Sequence, residues 1–261
     1  MGEEKLVIGI VGYGVVGKAT SLLFKPDWFY DPALGMDKVK KNNDGVVFIC
    51  IGTPFKNGQC YLNPIVENVE RFRDSRLIVI RSSVIPGTAR RLSSEFGVHI
   101  VSNPEFLRES SAYFDVQHPD RIVIGADNKE DSELIKSLYK KSNIDWGECF
   151  GFIETDTVTA ELIKYVSNLL GACKVSLANE VYDTCQTIGA NFEDVRKAVS
   201  LDPRLGNGFF AVTNKRGWGG RCFPKDMEIF LGWLKDNGME SLVLKAARDA
   251  NLKYRKLGDE S

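Results

Sequence analysis

Histidine is scarce in this chain of 261 residues: there are two, His99 and His118, and neither stands near a cysteine or a second histidine. Zinc sites and His-based triads have little material here, and no metal is expected. The six cysteines include no CxxC pair, and the chain is not a small secreted scaffold, which argues against a disulfide framework. Apolar runs stay short of the roughly 18 residues of a membrane span. Met1–Lys5 has neither the charged nor the apolar region of a signal peptide, so a cytoplasmic protein is expected. An excess of either charge is missing too: 34 basic against 35 acidic residues leave −1, with no basic stripe to neutralise a phosphate backbone. Nucleic acid is not the expected partner; a small molecule is. There is no internal repeat or low-complexity segment.

What the chain has is an α/β pattern, with length for one large domain or two smaller ones. Lys5–Val11, Trp28–Tyr30, Gly45–Ile51, Arg76–Arg81, His99–Val101 and Arg121–Ile124 are the strand candidates. Their near-continuous Val, Ile and Phe content suits strands covered on both faces, which predicts a Rossmann-like, doubly wound parallel sheet over residues 1–154. The crossover Ala33–Asp44 is thin and predicts a short or irregular helix. From Thr155 the pattern changes. Val158, Leu162, Val166, Leu169, Cys173, Leu177, Val181, Cys185 and Ile188 mark one long amphipathic helix ending at Gly189. Asn191 reads as the N-cap of a shorter helix that stops before Pro203, and Pro224 opens another that runs to Gly238. Residues 155–261 are thus expected to form an all-helical domain built on the long helix, with a tail that frays after Leu252.

Gly12-Tyr13-Gly14-Val15-Val16-Gly17 follows the first strand and precedes a helix. GxGxxG alone is weak, but strand, motif, helix and second strand come in the order a dinucleotide site needs. Asp31, at the end of the second strand, lies close to the expected distance of about 20 residues from the motif. A carboxylate there accepts ribose hydroxyls and repels a 2′-phosphate, so NAD is expected over NADP; the alternative is a turn residue before Pro32.

Gly217–Asp226 is the most informative stretch. If Pro224 opens a helix, Cys222 sits just ahead of its N-terminus beside Arg221 and Lys225, a setting that favours the thiolate. Asp226 falls in the first turn. The other five cysteines lack this setting. A buried small hydrophobe is the competing reading of Cys222.

Gly12–Gly17, Gly52-Thr53-Pro54, Arg81–Thr88, Asn103-Pro104-Glu105-Phe106-Leu107-Arg108-Glu109, the helix with Glu161, Lys164 and Asn168, and Gly217–Asp226 occur in the order found in the UDP-glucose and GDP-mannose dehydrogenases, a family the chain resembles over nearly its whole length. The resemblance implies oxidation of the C6 alcohol of a nucleotide sugar to a carboxylate, in polysaccharide biosynthesis, with two NAD used in succession. Cys222 would capture the intermediate aldehyde as a thiohemiacetal that becomes a thioester. Lys164 and Asn168, four apart on the long helix, would hold the oxyanion at C6; Asp226 would activate a water and Glu105 would serve in acid–base work. Glu109, Thr53, Pro54 and Ser83 would lie at the cofactor, near its nicotinamide, and Lys225 at its pyrophosphate. Phe106, Leu107, Arg108, Arg204 and Gly219 would meet the sugar nucleotide. His118 aligns with a structural turn. A homodimer through the long helix is also implied.

Departures exist. Arg81-Ser82-Ser83 stands where the family usually has Lys-Ser-Thr, and Val212–Arg216 matches poorly. The family's further domain, which grips the nucleotide, is not expected within 261 residues. UDP-glucose is the first substrate expected, because Pro-Glu-Phe-Leu-Arg-Glu favours the UDP-glucose or GDP-mannose branch over the N-acetyl-mannosamine branch. The competing expectations are a GDP-mannose dehydrogenase, an impaired homologue kept as an NAD-binding or assembly partner, and a single-step reductase, which would leave Cys222 without a purpose.

Overall fold

The computed structural model describes residues 6–37, 39, 45–56 and 58–259. The chain divides into two units, Met1–Pro54 with Cys60–Lys164, and Phe55–Gln59 with Tyr165–Ser261.

Along the first unit run β1 (Ile8–Val11), α1 (Val15–Phe24), β2 (Trp28–Tyr30) and β3 (Val46–Ile49). A small hairpin of β4 (Phe55–Lys56) and β5 (Gln59–Cys60) follows. The unit continues with α2 (Asn63–Arg71), β6 (Leu77–Ile80), α3 (Thr88–Phe96), β7 (Ile100–Ser102), α4 (Ala112–Gln117), β8 (Ile122–Gly125), α5 (Lys129–Lys140) and β9 (Phe152–Thr155). The sheet has the order β2-β1-β3-β6-β7-β8-β9. All six expected strands are present, some trimmed at their ends; Lys5 lies outside the described residues.

The sheet's strands alternate their side chains between two cores, as a period of two requires. Ile8, Ile10, Val46, Phe48, Leu77, Val79, Ile122 and Ile124 pack on one face with Leu23 and Ile135. Val47, Ile49, Ile78, Ile80 and Ile100 pack on the other with Ile65, Val69 and Leu92. Burying each such side chain contributes on the order of 1.5–3 kcal/mol, so the strands hold the loops at their ends rigidly.

Two expectations need correction. The sheet is not wholly parallel: β7 meets β8 antiparallel through Ser102 and Gly125, while β8 and β9 are parallel to each other. The link between β7 and β8 carries only a 3-10 turn, Glu109–Ser111, and the short α4, which packs on α1. β9 was not expected, because Phe152-Ile153-Glu154-Thr155 is a half-exposed edge strand with no continuous apolar run. Between β2 and β3 the described residues form a single 3-10 turn, Pro32–Leu34, in keeping with a thin crossover; residues 38 and 40–44 of it lie outside the described residues.

α6 (Thr157–Ile188), whose 32 residues make it about 48 Å long at 1.5 Å per residue, belongs to the first unit up to Lys164 and to the second from Tyr165. Gly189, at φ 73°, ends it. α7 (Phe192–Ser200) is capped by Asn191, whose Oδ1 accepts from Glu193 N at 2.9 Å. α8 (Phe223–Asp236) and α9 (Val243–Asp259) complete the unit, and α9 continues as helix past Leu252, where fraying was expected. The unit is not purely helical, since residues Phe55–Gln59 of the β4–β5 hairpin belong to it. Gln59 Nε2 donates to Asp236 at 3.2 Å, and a Cβ on Gly232 of α8 would stand 2.8 Å from the Gly58 carbonyl oxygen. Among the described residues no helix is long and apolar enough to cross a membrane, and no group of three or more His, Cys, Asp or Glu could hold a metal ion.

Candidate functional site

β1 and β3 are neighbours from whose ends the chain departs to opposite sides of the sheet, which opens a crevice at their carboxyl ends. Gly12 turns the chain there at φ 87°, and its N–H donates to the Tyr30 carbonyl at 2.9 Å. A Cβ on Gly17 would stand 1.9 Å from the Gly12 carbonyl oxygen, whereas one on Gly14 would meet open space. The first and third glycines therefore serve the turn and its packing, and the second leaves the gap a pyrophosphate needs. Gly14 caps α1, which Val15 and Val16 open, with no side-chain acceptor and no acidic residue in the first turn. The first-turn N–H groups and the helix dipole thus favour an anion. Asp31 is fixed against this turn, since its Oδ2 accepts from Tyr13 N at 2.8 Å. A cradle that a Cβ would fill and a carboxylate at the end of β2 fit a dinucleotide with a ribose diol.

Buried Thr53 ties the next two loops together by donating from Oγ1 to the Ser83 carbonyl at 2.5 Å, with Pro54 exposed beside it. Beneath Ser83 lies a network that sequence reasoning missed. Arg81 is buried and donates from Nη1 to Asn103 Oδ1 at 2.5 Å and to the Tyr139 hydroxyl at 2.6 Å, while Asn103 Nδ2 donates to the Val123 carbonyl at 2.7 Å. Burial pushes the guanidinium pKa down, but Tyr139, Cys50 and Glu105 more than offset it, so the group stays charged. Burial also pushes the Cys50 thiol up to about 11, and that of Cys173 upward, which leaves both inert.

Residues 103–108 form an irregular loop and Glu109 opens a 3-10 turn. Lys164 Nζ donates to the Glu105 carbonyl at 2.6 Å and lies 3.3 Å from its Oε1, with both side chains largely buried. Glu105 Oε2 accepts from Leu107 N at 2.7 Å. The Phe106 ring has the Arg121 guanidinium 4.1 Å from its centre and the Lys164 ammonium 5.4 Å from it. Leu107 packs on the core, Glu109 is exposed, and Arg108 is clamped to Asp115 with Nη2 to Oδ1 at 2.6 Å. Glu161 caps α3: its carboxyl oxygens accept from Gly87 N at 2.6 Å and Ala89 N at 2.8 Å.

In the second unit Cys222 is the exposed N-cap residue of α8, with Pro224 inside the first turn. Asp226, in the same turn, is 1% exposed. Asn168 Nδ2 donates to its Oδ2 at 2.6 Å. The Lys225 ammonium lies 3.0 Å from Oδ1 but off line for donation, so that oxygen is buried without a hydrogen bond. Gly219 lies against the Arg255 guanidinium. Arg204 is exposed and grips Asp202 through Nη2 at 2.6 Å.

The UDP-glucose/GDP-mannose dehydrogenase family matches this chain twice: its NAD binding domain over residues 35–143 and its central domain over 158–253. The chain belongs to this family. The matched first domain makes NAD the cofactor, in agreement with the glycine cradle and Asp31. A UDP-glucose 6-dehydrogenase from Rickettsia felis is 38% identical over 219 residues, 80% of this chain and 48% of that protein. Another from Rickettsia conorii is 36% identical over 245 residues, 87% of this chain and 55% of that protein. The chain thus spans about half the length of the curated relatives it matches. A UDP-glucose dehydrogenase from Pyrobaculum islandicum superposes with a TM-score of 0.81 at 29% identity, covering 97% of this chain and 69% of that one.

Proposed function

We propose that the chain oxidises the C6 alcohol of a nucleotide sugar to a carboxylate, with UDP-glucose the first substrate to test. The observation that carries this reading is the second unit's triad of parts: an exposed cysteine at the N-cap position of α8, a buried carboxylate one turn in, and the Asn168 amide bound to that carboxylate at 2.6 Å. The chemistry supplied by bound NAD is acceptance of a hydride.

Each residue then has a task. Lys164 spends N–H donors on Glu105 and Asn168 one on Asp226, and each has a further N–H to hold the C6 oxygen as charge develops on it. Cys222 Sγ adds to the aldehyde carbon: an S–C bond forms, the carbonyl electron pair moves to oxygen, and the thiol proton leaves to water. After the second oxidation the carbon is a thioester. Asp226 takes a proton from the water that attacks it, the C–S bond breaks, and the thiolate departs. Across the sequence the carbon surrenders two hydrides and gains one oxygen from water. Glu105 positions Lys164 and relays protons, while Thr53, Ser83 and Glu109 serve the nicotinamide side. Phe106, Leu107, Arg108, Arg204 and Gly219 are assigned to the sugar nucleotide on the family pattern alone.

The residues at Pro104–Glu109 support UDP-glucose or GDP-mannose over N-acetylated sugars. A cytoplasmic homodimer accompanies the proposal. α6 supports it with a stripe of Leu162, Val166, Leu170 and Leu177, exposed at 37, 47, 60 and 54% and spaced to share one face.

The test is the purified chain with NAD and a panel of UDP-glucose, GDP-mannose and N-acetylated nucleotide sugars, followed by NADH absorbance. Two NADH per sugar, lost in Cys222→Ser, is the expected result. NAD binding with no turnover on any sugar overturns it and leaves an NAD-binding scaffold.

A further inference from the structure

Ahead of Cys222 the chain passes through Arg216-Gly217-Trp218, and each of these residues is bound to a helix of the second unit. Arg216 adopts φ 49°, a left-handed conformation that is strained for a non-glycine residue. Its guanidinium donates from Nε to Asn179 Oδ1 at 2.8 Å and from Nη2 to Asp183 Oδ1 at 2.6 Å. The same group lies over the rings of Tyr182 and Tyr254, 5.0 and 5.2 Å from their centres. Gly217, also left-handed at φ 53°, donates its N–H to Asn179 Oδ1 at 3.1 Å. Asn251 reads both backbone groups of Trp218, accepting from N at 2.6 Å and donating to O at 3.0 Å. The Trp218 indole donates to Ser176 Oγ at 2.9 Å.

This anchorage lies in and next to the stretch where the chain departs from the family pattern, so the pattern does not explain it. Two successive left-handed residues make a sharp turn, and a turn that costs energy persists only where its surroundings hold it. The guanidinium is one of the groups that hold it: it donates to two α6 side chains and lies near two aromatic rings, beside the bonds that Asn179 and Asn251 make to Gly217 and Trp218. Cys222 follows six residues later in the chain, at the N-cap position of α8, where its side chain makes no capping hydrogen bond of its own.

We propose that Arg216 is a positioning residue for Cys222, bracing the turn that sets the thiol at the α8 N-terminus. The inference rests on the reading of Cys222 as the reacting thiol, and its test is separable from that reading. Arg216→Gly is the informative variant, because glycine accepts the left-handed backbone and only the anchor is lost. The thiol is probed by alkylation with iodoacetamide at pH 7.5, quantified on the Cys222 peptide by mass spectrometry. In Arg216→Gly the alkylation rate should fall by about tenfold, the scale of losing one modest interaction at the thiol. If the sugar is turned over, kcat should fall by a similar factor while KM stays within about twofold. Arg216→Lys, which keeps one donor to Asp183 but not the planar pair, should recover part of the rate. A melting temperature close to wild type separates this from unfolding, and Asp183→Asn, which leaves the turn residues untouched, should shift the alkylation rate in the same direction if Arg216→Gly does not fold. An unchanged alkylation rate in both Arg216→Gly and Asp183→Asn overturns the inference. Loss of sugar turnover in every variant, wild type included, would instead count against the reaction and leave the alkylation comparison standing.

Discussion

Lys164 and Glu105 are 59 residues apart in the chain, and the Lys164 ammonium meets both the carbonyl oxygen of Glu105, at 2.6 Å, and its carboxylate, at 3.3 Å. The long helix and the irregular loop after β7 are joined by this pair in the first unit. A lysine this well buried is expected to be kept in place by its partner, and the partner to be costly without it.

Removing one member of a buried ion pair leaves the other charge without compensation, at a cost of about 3–5 kcal/mol. Lys164→Met should therefore lower the unfolding midpoint in urea and also reduce sugar oxidation by at least about 100-fold, the scale of a lost charged donor at an oxyanion. The double variant Lys164→Met with Glu105→Gln should regain much of the stability and none of the activity. If activity returns with stability, the pair is structural only.

Asp226 presents a separate expectation. Asp226→Asn keeps an oxygen to accept from Asn168 Nδ2, so the fold should survive with little change in melting temperature. It removes the carboxylate proposed to activate water, so a covalent adduct of the sugar on Cys222 should accumulate after an initial burst of NADH. Intact-mass measurement after mixing with NAD and UDP-glucose checks it; a slow enzyme with no adduct would remove Asp226 from the hydrolytic step.

Much of this site was legible in the residues, for reasons that differ by element. The glycine turn is local chemistry, since the close approach of Gly17 to the Gly12 carbonyl leaves no other residue possible. The Cys222 cap was legible because proline announces a helix start. The Arg81–Asn103–Tyr139 network and the Arg216 anchor were not, because their partners lie 22 to 58 residues apart and no local spacing encodes such meetings. β9 escaped because an edge strand needs only one covered face. Glu161 stood in view among the residues of the long helix, but that it caps α3 depends on a contact between positions 74 apart in the chain.

The glycine cradle separates two substitutions that look alike. Gly14→Ala should fold normally, since the added Cβ meets open space, yet weaken NADH binding measured by fluorescence titration by about tenfold or more, because the methyl group enters the pyrophosphate's position. Gly17→Ala places a Cβ 1.9 Å from a carbonyl oxygen and should destabilise the first unit outright, with a lowered melting temperature whether or not NAD is present. Equal effects of the two on stability would mean that the gap at Gly14 is not where the cofactor lies.

Glu161 gives a pH dependence whose sign can be worked out. Burial of the carboxyl outweighs the backbone donors at Ala89, Gly87 and Thr88 and raises its pKa to about 8 from an ordinary 4.5. A carboxyl whose pKa is raised on folding binds more protons folded than unfolded between those two values. Its contribution to stability is therefore fully present below about pH 4.5 and is lost as pH rises through about 8. Stability of the first unit from this group should decline steadily across that window. Urea unfolding from pH 5 to 9 should show the decline in wild type and a flatter profile in Glu161→Gln, which cannot ionise. At pH 5 the variant should be the less stable of the two by about 1–3 kcal/mol, because its amide nitrogen faces a backbone N–H that the carboxyl oxygen had satisfied. The gap should narrow toward pH 9, where wild type must either bury a charge or loosen the start of α3. Parallel profiles for the two proteins would show instead that the α3 N–H groups keep Glu161 ionised throughout.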